Sequence, residues 1–176
     1  MKIYRPSEVQ AYAALRELHL HIGQIVVLSG QFEYMFMEIV AYIESPGDLA
    51  CQRQCVADLY GKRGRYIWCR CLAAVRDAPD LSEPLRENLI SSCSWYESNY
   101  ETRNRLVHDA WVFNLTGEEA VLARYVTEKG RSHVVTSADV GAVRAHADEM
   151  VEQQLLLLGN MAELRRLTES DVHKDA

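Results

Sequence analysis

The sequence has little proline and glycine, with 4 Pro and 9 Gly among 176 residues, and no repetitive or serine-rich tract. Disordered chains, collagens and linkers are rich in those residues, so this composition excludes those classes. Hydrophobic residues make up 48% of the chain and charged residues 25%, as is usual in globular domains. We therefore predict a single domain over residues 1–167, followed by a polar tail at residues 168–176.

Long apolar runs are also missing. Unbroken aliphatic runs such as Leu155–Leu158 are far shorter than the roughly 20 residues that span a bilayer as a helix. The N-terminal segment MKIYRPSEVQ lacks the apolar stretch and small-residue cleavage site of a secretory signal. These absences predict a cytoplasmic protein that has no membrane partner.

Positive charge is scarce over the chain as a whole. The net charge is -6 and the pI is near 5.5, which excludes broad, non-specific binding to nucleic acid through a large basic surface. A small local basic site remains open, because several cations are concentrated in the middle of the chain. They are Lys62, Arg63, Arg65, Arg70, Arg103 and Arg105.

The five cysteines are an odd number, which in a reducing compartment indicates free thiols rather than a disulfide framework. A zinc site is the alternative, with ligands drawn from Cys51, Cys55, Cys69, Cys71, His19 and His21. Their spacings match no known zinc motif, and free cysteines on amphipathic helices behave as small core residues. The sequence therefore predicts neither a metal nor another cofactor.

Apolar positions recur every three or four residues over most of the chain, which predicts helices. The predicted helices cover residues 7–44, 49–60, 66–76 and 83–108, and a last helix follows Asp139. Between residues 110 and 136 the pattern changes to short β-rich runs at 111–113, 121–127 and 133–136. The predicted fold is mainly α, a four- to five-helix bundle with a small antiparallel β insert before the last helix.

Two glycines in the first helix, Gly23 and Gly30, lie seven residues apart and so share one side of that helix. Each costs roughly 1 kcal/mol against alanine in a helix. We interpret the pair as a notch that lets a neighbouring helix approach closely.

The fourth helix carries an arginine where a core residue is expected. Leu85, Leu89, Cys93, Tyr96, Tyr100 and Val107 form an apolar stripe, and Arg103 falls on the same stripe. A buried guanidinium needs an acidic partner, an anionic ligand or access to solvent. Asn104 and His108 share an edge of the helix beside it, so three polar side chains converge at the helix end.

The hexapeptide Arg103-Asn104-Arg105-Leu106-Val107-His108, late in a long helix, resembles the Arg-x4-His motif of the HEPN superfamily. The similarity extends loosely to Ile22-Gly23 and to residues 29–33 in the first helix, and to the Trp111 strand after the motif. The resemblance implies a homodimer whose motif helices face each other across a cleft. In the catalytic members this cleft is a metal-independent endoribonuclease site, found in bacterial toxin–antitoxin or phage-defence systems.

Carried over by position, Arg103 would bind the scissile phosphate and His108 would act as acid or base, while Asn104 would orient the His or the phosphate. Arg and His together can supply charge stabilisation and a proton shuttle without a metal. Some HEPN proteins that are paired with a nucleotidyltransferase carry a tyrosine two residues after the His as a modification target, but this chain has Ala110 there. The resemblance therefore does not extend to that mode of regulation.

Other side chains could complete such a site. Glu33 lies at the edge of the first helix's apolar stripe, and we predict that it pairs with Arg103. Arg105, with Lys62, Arg63 and Arg65 from the basic turn, could contact RNA phosphates.

A second class of function stays open from the sequence. In it the chain is a non-catalytic binding or scaffold protein of the same fold, and Arg103, Asn104 and His108 form a structural network. RNA and an antitoxin or another protein are the partners that the first hypothesis implies.

Overall fold

A computed structural model of the chain describes residues 6–108, 110–116, 119–128, 131–135 and 140–172, with side chains at 9–10, 12–108 and 140–167. The described part contains five helices and confirms the mainly helical class. The helices are α1 Pro6–Glu44, α2 Leu49–Leu59, α3 Gly64–Asp77, α4 Glu83–His108 and α5 Val140–Val172. The strands are β1 Ala110–Thr116, β2 Glu119–Glu128 and β3 Arg131–Val135.

The helix boundaries agree with the sequence pattern to within a few residues, with two differences. Gly64, predicted to lie in a turn, is the first residue of α3. Thr168, predicted to begin the polar tail, is still helical, because α5 continues to Val172.

The connection between α1 and α2 is fixed by Asp48. Its side chain caps α2 by accepting hydrogen bonds from the backbone N–H groups of Ala50 and Cys51, both at 3.0 Å. The hydrogen bond from Cys51 and that from Ala50 lower the pKa of Asp48, because both stabilise its charged form. The cap satisfies two amides of the first turn that have no partner within the helix.

The three strands occupy the segment with the β-rich pattern. β1 pairs antiparallel with β2, with Ala110 opposite Tyr125, and β2 pairs antiparallel with β3, with Arg124 opposite Val135. The order in the sheet is β1-β2-β3, so strands that are consecutive in the chain are neighbours in the sheet.

The chain forms two compact units. The first contains residues 1–27 and 101–150, and the second contains residues 28–100 and 151–176. Each unit contains part of α1, part of α4 and part of α5, so it is built from two stretches of the chain that are far apart in sequence. The single domain over residues 1–167 stays a prediction.

The core of the second unit is built around a group of aromatic side chains from three helices. The rings of Phe36 on α1 and Tyr96 on α4 meet edge to face with centroids 5.3 Å apart. Trp68 on α3 lies 4.7 Å from Tyr100 on α4. Such pairs add to the stability that burial of their area provides. The predicted stripe of α4 is confirmed at Leu85, Leu89, Cys93 and Tyr96, which are all buried.

The first unit buries apolar side chains from α1, α4 and α5. They are Leu18, Ile25, Leu106, Val143, Ala147 and Met150. Leu106 is the buried residue in the last turn of α4, whereas the predicted core residue Val107 is only half-buried. The apolar stripe therefore shifts by one position at this end of the helix.

One segment, Tyr12–Glu44 of α1, is long and apolar enough to cross a membrane by length and composition. The most apolar stretch of this segment has a mean hydropathy of 1.2, and 56% of that stretch is buried inside the protein. Core helices of soluble proteins meet the same criterion, and Phe32, Phe36 and Ile39 of this segment are fully buried core residues. The helix is compatible with a soluble protein.

Candidate functional site

Arg103, Asn104 and His108 lie in the last two turns of α4, in the first unit. Nη1 of Arg103 donates a hydrogen bond to Oδ1 of Asn104 at 2.6 Å, and both side chains are half-buried. His108, the last residue of the helix, is exposed. The structure thus brings the predicted Arg and Asn together and leaves the imidazole accessible to solvent.

This arrangement has two chemical capacities. The guanidinium is oriented by a short hydrogen bond, and a planar fork of donors in a fixed direction suits the oxygens of a phosphate. Histidine is the side chain that commonly exchanges protons near neutral pH, and an exposed imidazole can exchange them with substrate or water. The helix end therefore places a side chain that can bind an anion and a side chain that can transfer a proton within six residues of each other.

Arg105 lies on the same helix but has an acidic neighbour. Its Nη2 lies 2.6 Å from Oε1 of Glu101, one turn earlier, and 53% of the Arg105 side chain is exposed. Such an exposed i,i+4 pair contributes little to stability. Glu101, which the sequence analysis did not single out, reduces the positive charge that Arg105 can offer to a phosphate.

Glu33 is half-buried in the second unit and has structural partners there. The Tyr96 hydroxyl donates to its Oε1 at 3.0 Å. The carboxyl group also lies against Gly64, since a Cβ added at Gly64 would meet Oε1 and would lie 2.9 Å from Cδ. The predicted pairing of Glu33 with Arg103, which belongs to the first unit, stays a prediction.

The contact explains why a glycine begins α3. The carboxylate of Glu33 approaches the first turn of that helix, where the positive end of the helix dipole favours an anion. A side chain at position 64 would collide with it. The sequence offered no signal for this pairing, because Glu33 and Gly64 are 31 positions apart on different helices.

The basic turn lies between α2 and α3 in the second unit. Gly61 has a φ of 78°, in the left-handed region that favours glycine. Lys62, Arg63 and Arg65 are exposed, as contacts to RNA phosphates would require. Their proximity to the Arg103 site stays a prediction.

A cleft that the sequence analysis missed lies between α1 and α2 and has a volume of about 300 Å³. Tyr34, Glu38, Tyr42, Gln52 and Arg53 contribute the polar part of its lining. Glu38 already pairs with Arg165 of α5 at 3.2 Å, and the Arg165 guanidinium lies 5.3 Å from the centre of the Tyr42 ring. Nothing in the sequence marks this cleft, because it depends on how α2 folds back on α1.

All five cysteines are free thiols in the structure. Within the described residues no group of three or more His, Cys, Asp or Glu side chains is arranged to hold a metal ion. A hydrogen bond to Asp48 raises the pKa of Cys51, and burial raises that of Cys55. Cys71 and Cys93 are buried with their sulfurs 3.7 Å apart, and this hydrogen bond, together with burial, raises the pKa of Cys71 well above its usual range. Raised thiol pKa values disfavour the thiolate that nucleophiles and metal ligands require.

Another group that the sequence analysis missed is His146 on α5, in the first unit. It is buried, and among the described residues its Nε2 has no hydrogen-bond partner. Burial lowers the pKa of His146, and the negative charge of Glu149 partly opposes this effect. His146 is therefore held neutral in the folded chain at neutral pH.

Comparison of the chain with protein-family models, with curated proteins and with solved structures gave no match.

Proposed function

We propose that the chain is a HEPN-like homodimer of the cytoplasm that cleaves RNA without a metal ion, with Arg103 and His108 as the working pair. The observation that carries the proposal is the half-buried Arg103 guanidinium, oriented by Asn104, on the same helix end as the exposed His108. By the same resemblance, its setting is a toxin–antitoxin or phage-defence system, and an antitoxin is a candidate partner.

The proposed reaction is an internal phosphoryl transfer. The ribose 2′-oxygen attacks the adjacent phosphorus while the bond from phosphorus to the 5′-oxygen breaks, which leaves a 2′,3′-cyclic phosphate and a free 5′-hydroxyl. His108 takes the proton from the 2′-hydroxyl or gives one to the departing 5′-oxygen, and solvent water carries the other proton. Arg103 offsets the negative charge that builds up on the non-bridging oxygens, and Asn104 maintains its orientation.

The acidic character of the chain sets the expected mode of RNA binding. A net charge of -6 gives no general attraction for RNA, so contact would be limited to a few cations. Three of these cations are exposed and available for this role: Lys62, Arg63 and Arg65. The guanidinium of Arg105 already forms an ion pair with Glu101. Binding should therefore be weak and should weaken further with added salt.

The test is RNA cleavage in excess EDTA by the wild type, His108→Ala and Arg103→Ala, with transfer RNA, messenger RNA and short single strands as substrates. We expect products with cyclic-phosphate ends from the wild type, and a loss of at least about 100-fold in the His108 variant. His19→Ala is the matched control, since it removes another exposed histidine outside the motif. Intact RNA with the wild type, or equal cleavage by wild type and His108→Ala, would refute the ribonuclease.

The competing function is a non-catalytic binding or scaffold protein, and the Arg103–Asn104 hydrogen bond also favours it. If the pair is structural, Arg103→Ala should lower the free energy of unfolding by about 1 to 3 kcal/mol. If the pair serves catalysis, removal should leave stability unchanged or raise it, as is common for functional sites. Thermal melts of the same variants distinguish these outcomes.

A further inference from the structure

Exposed apolar side chains are concentrated where α1 and α5 lie side by side in the second unit. Val151, Leu155 and Leu158 of α5 are 41%, 63% and 46% exposed, and Tyr34 of α1 is 47% exposed. Single exposed apolar residues are common on soluble proteins, but a contiguous group of them marks an interaction surface.

Direct contacts show that the two helices are neighbours. Nε2 of Gln154 on α5 donates to Oε1 of Gln31 on α1 at 2.6 Å, and further along both helices Arg165 pairs with Glu38. Because both pairs advance in the same chain direction, α1 and α5 run parallel here.

The apolar residues form a stripe beside the Gln31–Gln154 contact. On α5 the spacings of Val151, Leu155, Leu158 and Ala162 are four, three and four residues, the repeat that places side chains along one edge of a helix. On α1, Gly30 and Tyr34 are four residues apart and lie next to Gln31. We call these six residues the α1–α5 face.

Four of the six members of the α1–α5 face, Gly30, Leu155, Leu158 and Ala162, lie in segments without charge. No Asp, Glu, Lys or Arg occurs from Gln153 to Ala162 on α5, or from Leu18 to Phe32 on α1. Charged residues make up a quarter of the whole chain, so these gaps depart from its general composition. Two copies of a chain with a net charge of -6 repel each other, and an uncharged face is where they can meet with least repulsion.

The shape of the face is also suited to a second copy. A Cβ added at Gly30 would meet nothing within 4 Å, so no described residue of the chain approaches Gly30 as closely as the sequence predicted, and the position is open to another molecule. Leu155, the most exposed member of the face, is a protruding side chain. Since one surface carries both a protrusion and a notch, it can be complementary to itself, as a two-fold interface requires.

We infer that a second copy of this chain docks on the α1–α5 face, with the leucines of one copy against the Gly30 notch of the other. The inference goes beyond the proposed ribonuclease and does not rest on it. The HEPN resemblance places a dimer contact at the motif helix α4, whereas this face belongs to α1 and α5. If both contacts form, the assembly contains four chains.

The test measures the solution mass of the full chain by light scattering after gel filtration. We expect the wild type to have twice the mass of Leu155→Glu, because the substitution places a charge in each half of the interface. The matched control is Leu156→Glu, which changes a leucine of similar exposure, 59%, that points about 100° away around α5. It should keep the wild-type mass.

A second variant tests shape without charge. In a single chain there is open space at position 30 for the side chain that Gly30→Gln adds. That side chain would occupy the space that the partner's leucines need, so we expect the Kd for self-association to rise at least about tenfold. Circular dichroism at the same concentrations confirms that each variant is folded. Equal masses for wild type and Leu155→Glu, or equal losses in Leu155→Glu and Leu156→Glu, would overturn the inference. Neither result bears on cleavage, which His108→Ala tests separately.

Discussion

At the residue scale, the chain contains polar groups whose surroundings differ sharply although their types are the same. His108 is exposed at the end of α4, whereas His146 is buried on α5 without a described partner for Nε2. The first is accessible for proton transfer. The second is held neutral by burial, which links its protonation to unfolding.

His146 should therefore make stability depend on pH. Its pKa is lowered in the folded chain, so the unfolded chain binds a proton more readily. The free energy of unfolding should fall as the pH drops below about 6.5, the ordinary pKa of histidine, and this loss should be complete below the folded pKa.

Urea titrations of wild type and His146→Leu from pH 8 to about pH 5 check this prediction. At pH 8 the variant should be at least as stable as the wild type, because leucine leaves no buried nitrogen without a partner. Toward lower pH the variant should lose less stability than the wild type. Parallel curves over the whole range would contradict the assignment.

At the element scale, a contact between a glycine and a carboxylate joins the start of α3 to α1. Glu33 lies against Gly64 and accepts a hydrogen bond from Tyr96 of α4, so three helices meet at this carboxylate. The contact requires the absence of a side chain at position 64.

Gly64→Ala should lower the free energy of unfolding by about 1 kcal/mol, because Glu33 must move away and lose the hydrogen bond from Tyr96. In a Tyr96→Phe background that bond is already absent, so the same substitution should cost less. A double-mutant cycle from urea titrations measures the difference. Gly23→Ala is the control, since position 23 is open and alanine there should raise stability by about 0.5 to 1 kcal/mol.

At the scale of the whole molecule, the buried thiols of the second unit can report on how fast that unit unfolds. Cys51 and Cys69 are exposed, whereas Cys71 and Cys93 are buried between α3 and α4 of the second unit. A thiol reagent should therefore modify Cys51 and Cys69 in the folded protein. Cys71 and Cys93 should react only as fast as the second unit opens.

Mass spectrometry of peptides after timed labelling checks this order. In mild urea the labelling of Cys71 and Cys93 should accelerate together, whereas that of Cys69 should change little. Rapid labelling of Cys71 in the native protein would contradict its burial in the core around Tyr96.

The sequence determined the local features of the protein. Helical periodicity predicted the five helices, since a single stripe of apolar residues is enough to define an amphipathic helix, and Arg103, Asn104 and His108 are close together because they share two turns of one helix. The mainly helical class follows from the same local pattern, and it is confirmed.

Only the tertiary structure decided what distant residues do together. Gly64 had the appearance of a connector residue, and nothing in the sequence linked it to Glu33, but packing placed the two side by side. Leu155 and Leu156 are adjacent leucines of similar exposure, yet only Leu155 is a member of the α1–α5 face. Such contacts depend on how helices pack, and packing joins residues whose separation along the chain carries no periodic signal.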